Sequence, residues 1–99
     1  MDQQSQQWSF LSKHTRVLWA VASTPNVRLR DLAAVCNITE RTAQHIVADL
    51  EQAGYLDRER VGRRSRYTVH PDQPLRHPAE AGLLVRDLLA LRPAVEGGG

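Results

Sequence analysis

Hydrophobic residues recur three and four positions apart in the first half of the chain, which is the spacing of one buried helix face. The first such segment starts at Trp8 or Ser12 and predicts a helix that ends at Ser23, two residues before a proline. After the turn that this proline indicates, Val27 and Leu29 favour a very short strand.

Two further helices are predicted on either side of a tight turn. The first covers residues 30–36 and ends at Asn37, a residue that tolerates the left-handed conformation better than most. The second begins after Thr39, which is a good N-cap residue, and runs to about residue 53, where Gly54 stops it. The spacing therefore predicts three consecutive helices.

The second half of the chain changes to residues that are typical of strands. Tyr67, Thr68 and Val69 are strand formers, and Gly62 and Ser65 lie where the tip of a hairpin is expected. The polar stretch that follows Leu56 and the residues after the tip are therefore predicted to form two antiparallel strands.

Prolines mark the limits of the last predicted element. Pro71 and Pro74 end the second strand, and Pro78 suits the first position of a helix. That helix is predicted to reach Leu91 or Arg92. The order helix, helix, helix, hairpin, helix predicts an α+β fold that is mainly α.

The length and composition are those of one domain. With 99 residues, of which 41% are hydrophobic and 24% are charged, the chain has room for a single core. We expect residues 8–92 to form it. The glutamine-rich residues 1–7 and residues 93–99, which end in three glycines, are expected to be disordered tails.

The sequence also favours one cellular compartment. No apolar run approaches the ~20 residues that cross a bilayer, and the first residues lack the basic and apolar regions of a secretory signal. Cys36 is the single cysteine, so no internal disulfide is possible. We therefore expect a cytoplasmic protein that does not bind membranes.

The positive charge is concentrated at one place, although the formal net charge is only +2. Residues 58–66 hold five arginines against one glutamate. A short cationic edge on an otherwise nearly neutral domain is typical of proteins that bind a polyanion.

Residues 29–50 carry the pattern of a helix-turn-helix. Ala33 is small where the two helices cross at close range, and Asn37 stands at the turn. Apolar residues that fix the crossing angle lie at the expected spacing, and they are Leu32, Ile38, Ala43, Ile46, Val47 and Leu50.

The second helix of this motif leaves a polar face free. The candidate DNA-binding residues on it are Thr39, Glu40, Arg41, Thr42, Gln44 and His45. Glutamine pairs with adenine, arginine with guanine, and the free amides of the first turn suit a phosphate. The alternative is that this is the ordinary polar face of an amphipathic helix, since Glu40 alone repels DNA.

Residues 12–70 resemble a winged helix-turn-helix transcriptional regulator of the broad MarR and ArsR type. The resemblance is carried by the stretch LRDLAAVCNITERTAQHIVADLEQAGYLDRERVGRRSRYTV, residues 29–69. It implies three helices, a two-stranded hairpin wing and a C-terminal helix. It also implies that the third helix enters the major groove of DNA while the wing touches the backbone or the minor groove. The wing residues so assigned are Arg58, Arg60, Arg63, Arg64, Ser65 and Arg66.

The chain departs from those families in two ways. MarR proteins usually have extra helices around an effector cavity, and we expect no large ligand pocket here. ArsR metal sensors use ligand clusters, whereas this chain has one cysteine and four scattered histidines, so no metal site and no cofactor are expected. No nucleophile is paired with a base and no glycine-rich phosphate loop is present, so we do not expect an enzyme.

The first and last predicted helices carry more apolar surface than one core requires. The predicted last helix is apolar around most of its circumference, and two tryptophans form a second stripe on the first helix. This indicates a homodimer interface formed by Trp8, Leu11, Thr15, Trp19, Leu84, Val85, Leu88 and Leu91. The alternatives are that the tryptophans cover the rim of their own core and that the last helix lies in a groove of its own domain.

Two functions follow from these observations. The first is a homodimeric, sequence-specific regulator of transcription that binds double-stranded DNA, with an inverted repeat as its site. The second is a winged-helix module that docks a partner protein through its hydrophobic last helix, with the arginines as a solvated edge. RNA binding is a weaker third option, because the chain shows no aromatic platform for bases. A separate sensor protein remains possible in either case.

Overall fold

The computed structural model describes residues 8–93, so the predicted tails at 1–7 and 93–99, except for Pro93, lie outside the described residues. The chain forms three helices, a two-stranded antiparallel hairpin, a 3-10 turn and a fourth helix. In order these are α1 (Lys13–Ser23), α2 (Leu29–Cys36), α3 (Glu40–Gln52), β1 (Leu56–Val61), β2 (Arg64–Val69), the 3-10 turn (Pro78–Glu80) and α4 (Val85–Ala90).

Helix α1 begins at the later of the two predicted positions. The Ser12 side chain accepts a hydrogen bond of 3.2 Å from the backbone N–H of Thr15 and so caps the helix. Trp8 therefore precedes the helix and does not share a helical stripe with Trp19. The prediction of a second apolar stripe along α1 is wrong at this position.

The turn between α2 and α3 has the predicted structure. Asn37 adopts a left-handed conformation with φ of 57°, and the N–H of Ile38 reaches back 2.9 Å to the carbonyl of Ala33. Thr39 then accepts a hydrogen bond of 3.0 Å from the N–H of Thr42. These contacts end one helix and start the next within three residues.

The core lies between the first three helices and the base of the hairpin. Leu32 and Val47 are buried where α2 and α3 cross, and Val17 and Val21 cover them from α1. Leu56, at the start of β1, is buried where the core meets the base of the hairpin. The predicted helix-turn-helix residues Ala33, Ala43, Ile46 and Leu50 are buried as well, and Ile38 packs against the cluster.

The predicted short strand at Val27 and Leu29 does not form. Leu29 is the first residue of α2, and the N–H of Val27 donates to the carbonyl of Thr24 at 3.0 Å within the preceding turn. The N–H of Tyr67 in β2 donates to the carbonyl of Pro25 at 2.8 Å, two residues before Val27, and Pro25 has no N–H to return a second hydrogen bond.

The last helix is much shorter than the predicted one, which was to run from Pro78 to Leu91 or Arg92. Only Pro78–Glu80 turns, as a 3-10 helix, and Gly82 then adopts φ of 93°, which breaks any helical continuation. Helix α4 starts at Val85, where Asp87 accepts a hydrogen bond of 2.8 Å from the N–H of Leu84. The wide apolar face deduced from a long helix therefore does not exist as one surface.

Two hydrogen bonds within the chain hold α4 and the residues after it against α1. The indole N–H of Trp19 donates a hydrogen bond of 2.8 Å to the carbonyl of Leu88, and Arg92 donates to the hydroxyl of Ser23 at 3.2 Å.

Within the part of the chain that the structure describes, no helix is long and apolar enough to cross a bilayer.

Candidate nucleic-acid interface

The outer face of α3 is exposed over its first two turns. Glu40, Arg41, Gln44 and His45 are exposed, while Ala43 and the apolar positions after it are buried against the core. Burial of the opposite face fixes the rotation of the helix about its axis. The exposed side chains therefore form one surface that faces away from the molecule.

Two of the predicted contact residues are occupied in capping α3. The Thr39 hydroxyl donates to the Thr42 hydroxyl at 3.0 Å and accepts from the Thr42 N–H at the same distance. Thr39 is exposed and Thr42 is half-buried. The pair orders the first turn of α3, and Thr39 is the member that a ligand can still reach.

The register of the hairpin divides the wing arginines between two faces. Arg58 pairs with Tyr67 and Arg60 with Ser65, and this face is the inner one because Tyr67 is buried. Arg66 pairs with Glu59 on the outer face, and Arg64 lies on the same side by register. The predicted single cationic edge is therefore two surfaces that meet at the tip.

The two inner arginines are also structural. The Arg58 guanidinium lies 3.5 Å from the carboxylate of Glu51 near the end of α3, and the Nε of Arg60 donates to the carbonyl of Gly62 at 3.3 Å. These contacts tie the hairpin to α3 and brace its tip. Gly62 itself adopts φ of 63° in the turn, a conformation that favours glycine.

A cleft of about 240 Å³ joins the exposed face of α3 to the wing. We call it the wing cleft, and its lining residues are Val27, Arg28, Leu29, Gln44, Val47, Arg58, Arg63, Arg64, Ser65 and Tyr67. Gln44 of α3 and the arginines of the wing tip therefore share one depression. Glu40, Arg41, His45, Arg60 and Arg66 do not line it.

Arg28 is the cleft residue that sequence reasoning missed. It immediately precedes α2, as the N-cap residue, and so belongs to neither the third helix nor the wing. Its signal in the sequence is an isolated arginine at the start of the helix-turn-helix. The pattern alone does not indicate that this position faces the hairpin, because the contact is long-range.

His45 is exposed, but its ring also lies near an acidic residue one turn later on α3. Its Nε2 lies 3.9 Å from Asp49, whose other carboxylate oxygen is 2.8 Å from Nε2 of His14 on α1. The hydrogen bond with His14 is the main reason why the pKa of Asp49 lies below its ordinary value, and the nearby His45, His14 and Arg76 charges add to this effect. The cluster links α3 to α1 beside the exposed face.

A second and larger depression, of about 710 Å³, lies between α1, the end of α3 and the C-terminal segment. Leu18, Leu50 and Leu88 give it apolar walls, and His14 and Arg76 stand among its polar lining residues. The expectation that the chain lacks a large cavity is therefore wrong. The reason is the short α4, which leaves this part of α1 and α3 without a covering helix.

Cys36 is a buried free thiol whose burial raises its pKa, so that it is a neutral packing residue of the core. Residues 8–93 contain no group of three or more histidine, cysteine or acidic side chains that is able to hold a metal ion.

The predicted dimer residues fall into three groups by exposure. Val85 is completely buried and Thr15 is buried within the single chain, so neither has surface left for a second chain. Leu11, Trp19, Leu84 and Leu88 are half-buried. Trp8 and Leu91 are each 65% exposed, and the ring of Trp8 packs edge-on against the exposed Phe10.

Comparison with known proteins supports a relationship to one family. The family model described as the MarR family matches residues 9–66, which is more than half of the chain. A comparison with curated protein sequences finds no match.

Solved structures show the same fold. The PcaV transcriptional regulator from Streptomyces coelicolor, solved in complex with its natural ligand, is 27% identical with a TM-score of 0.54, over 61% of this chain and 45% of that one. MepR, a transcription regulator of the Staphylococcus aureus multidrug efflux pump MepA, is 16% identical with a TM-score of 0.58, over 91% of this chain and 63% of that one. The chain therefore spans less than two thirds of either protein. The predicted winged helix-turn-helix fold is confirmed.

Proposed function

The chain belongs to the MarR family of transcription regulators, and from this premise we propose that it binds specific sites on double-stranded DNA as a homodimer. Members of this family are DNA-binding regulators and not enzymes, so the expectation of a non-enzyme is confirmed. The observation that carries the proposal is the wing cleft, in which Gln44 of α3 and the arginines of the wing tip line one depression.

The proposed geometry assigns different tasks to the two elements. Helix α3 enters the major groove, where Gln44 pairs with adenine and Arg41 with guanine, since both side chains are exposed on the same face. Thr39, Glu40, Thr42 and His45 border this contact. Discrimination between sequences comes from α3, because base edges are read by side chains that have two hydrogen-bonding atoms.

The wing contributes affinity. Arg63 and Arg64 at the tip and Arg66 on the outer face neutralise phosphates beside the major groove or enter the minor groove. Ser65 lines the wing cleft. Arg58 pairs with Glu51 of α3, and Arg60 donates to the carbonyl of Gly62 in the turn of the hairpin. We assign them a positioning role in addition to any contact with DNA.

The homodimer is proposed on the apolar surface that remains exposed. Trp8 and Leu91 are the most exposed of the predicted interface residues, and Leu11, Trp19, Leu84 and Leu88 border them. Two copies related by a twofold axis present two α3 helices to successive major grooves, about 34 Å apart. The preferred site is then an inverted repeat, and the protein acts where the chromosome lies, in the cytoplasm.

The alternative function, a module that docks a partner protein through the last helix, has less support. Helix α4 has six residues, and Val85 and Trp19 already tie it to its own domain. Neither observation leaves a continuous apolar helix face for a partner.

Selection of bound sites from a random DNA pool tests the proposal. We expect enriched sites to be inverted repeats with half-sites about one helical turn apart. The variant Gln44→Ala should enrich sites that have lost preference at one or two positions in each half-site, at a cost of about 1–3 kcal/mol in discrimination. Failure of the wild-type protein to enrich any sequence contradicts the proposal, and enrichment of single, unrepeated half-sites contradicts the dimer.

A further inference from the structure

The wing cleft has the charge of an anion-binding site. Four of its lining residues are arginines, Arg28, Arg58, Arg63 and Arg64, and no carboxylate lines it. Arg58 is the one of the four with an acidic partner, Glu51, which stands outside the cleft. Among residues 8–93, the other three form no ion pair. The positive charge that faces the cleft is therefore largely uncompensated.

The floor of the cleft strengthens the attraction of its rim for an anion. Val47 and Tyr67 are almost completely buried, and Val27 and Leu29 are half-buried beside them. An apolar floor lowers the local dielectric constant, so a charge held at the rim interacts more strongly with the guanidinium groups than it does in open water. Polar donors are also present in the side chains of Gln44 and Ser65.

Three separate elements meet at this cleft, namely α3, the wing and the start of α2. Arg28 is the arginine that the start of α2 contributes. It precedes α2, and because a guanidinium has donors but no acceptor, it cannot cap the helix N-terminus and its donors suit an anion. The cleft thus has arginine side chains from the start of α2 and from both strands and the tip of the wing. An arginine fork from each side suits a group with several acceptor oxygens spaced as in a phosphate.

We propose that the wing cleft binds one backbone phosphate of the DNA duplex, with Arg28 as the contact that α2 supplies. This inference rests on the proposed function and adds to it a phosphate site between the recognition helix and the wing. The bound phosphate fixes how deeply α3 enters the groove, because Gln44 lines the same cleft.

The test is the salt dependence of binding to a random-sequence duplex of about 30 base pairs, which probes phosphate contacts alone. The variants are Arg28→Ala, Arg28→Lys and, as the matched control, Arg86→Ala. Arg86 carries the same charge but lies at the start of α4, pairs with Asp72 and is not part of the cleft. Thermal unfolding of each variant shows that the fold is retained.

We expect Arg28→Ala to lower the slope of log affinity against log salt by about 0.9, which is the value for one phosphate contact. Its loss of affinity relative to the wild type should therefore shrink about threefold between 50 and 200 mM salt. Arg28→Lys and Arg86→Ala should keep the wild-type slope. An unchanged slope for Arg28→Ala, while the wild-type protein binds DNA, overturns the phosphate site and leaves the proposed function intact. No binding by the wild-type protein overturns the proposed function itself.

A second measurement distinguishes the two sources of a phosphate group. Inorganic phosphate is titrated onto the protein without DNA while the backbone amide NMR signals of Leu29 and Ser65 are followed. We expect only weak shifts, which disappear when the duplex is added because its backbone takes the same place. Saturable binding of inorganic phosphate that the duplex does not displace assigns the cleft to a free anion and overturns the inference.

Discussion

Asn37 and Thr39 show how few residues define the helix-turn-helix. Asn37 has a positive φ of 57° and Thr39 caps α3, and both roles were predicted from residue type and spacing. The roles of such residues can be predicted from the sequence because their hydrogen bonds are local, within five residues along the chain. Arg28 could not be predicted as a site residue, because its neighbours in the cleft lie on the hairpin, about 30 residues or more later in the sequence.

The left-handed conformation at Asn37 makes a prediction about stability. Asn37→Gly should be nearly neutral, whereas Asn37→Ala should lower the free energy of unfolding by about 1 kcal/mol relative to the glycine variant, since alanine resists a positive φ. Urea denaturation of the two variants checks this. Equal stability of the alanine and glycine variants contradicts the role assigned to the turn.

The contact between His14 and Asp49 predicts a dependence of stability on pH. Because the pKa of Asp49 in the folded chain lies below its ordinary value of 3.8, the carboxylate stabilises the fold above that pH. This stabilisation is lost as the pH falls through the lower folded pKa. Asp49→Asn should therefore destabilise the fold at about pH 6, and this difference from the wild type should shrink as the pH falls below 3.8.

A double-mutant cycle with His14→Ala identifies the partner in this contact. Since the hydrogen bond of 2.8 Å with His14 is the main cause of the shift, Asp49→Asn should have a smaller effect when His14 is absent. Thermal unfolding of the four proteins at about pH 6 gives the coupling. Additive effects of the two substitutions rule out the assigned contact.

Among the elements, the sequence predicts helices α1 to α3 and the hairpin well, and it predicts a C-terminal helix that is much longer than α4. The first helices have capping residues and an apolar period that agree with each other, as Ser12 and Thr39 illustrate. Between Pro78 and Leu91 the apolar positions suggest a helix, but Gly82 takes a positive φ and Leu84 pairs with Pro74 in a β-bridge. Tertiary contacts of residues 73–75 with residues 83–85 decided the outcome there.

The attachment of α4 to α1 is tested by Trp19→Phe. This variant removes the indole donor to the Leu88 carbonyl and should cost about 0.5–1.5 kcal/mol in the free energy of unfolding, with faster amide exchange in α4. Trp8→Phe is the matched control, because Trp8 is exposed and lies outside the helices. Equal effects of both substitutions contradict the assigned contact.

In the molecule as a whole, the sequence indicated which residues form the proposed DNA-binding surface but not its shape. Residues 58–66 carry the charge in the sequence, yet the strand register places Arg58 and Arg66 on opposite faces and gives Arg58 a partner in α3. Self-association is harder to deduce, since it depends on which apolar residues remain exposed after the single chain has folded. Val85 and Trp8 were both predicted from the sequence to lie in the dimer interface, but of these two only Trp8 is exposed.

The dimer proposal predicts the effect of charge on the exposed apolar surface. Trp8→Glu together with Leu91→Glu should give a folded monomer, because both side chains are 65% exposed and lie in the proposed interface. Val35→Glu is the control, as Val35 is 74% exposed on α2 outside that surface. Sedimentation equilibrium measures the masses, and a monomeric wild-type protein contradicts the proposed dimer.

Titration of a random-sequence duplex with the full chain at rising salt tests whether the wing holds the DNA backbone beside α3. We expect binding at about 50 mM salt, a steep loss of affinity as salt rises, and a slope that falls by about 0.9 for each contact removed in the variant Arg63→Ala, Arg64→Ala, Arg66→Ala. Absence of binding by the wild-type protein at low salt, or the same slope for this triple variant, contradicts a surface in which the wing holds the DNA backbone beside α3.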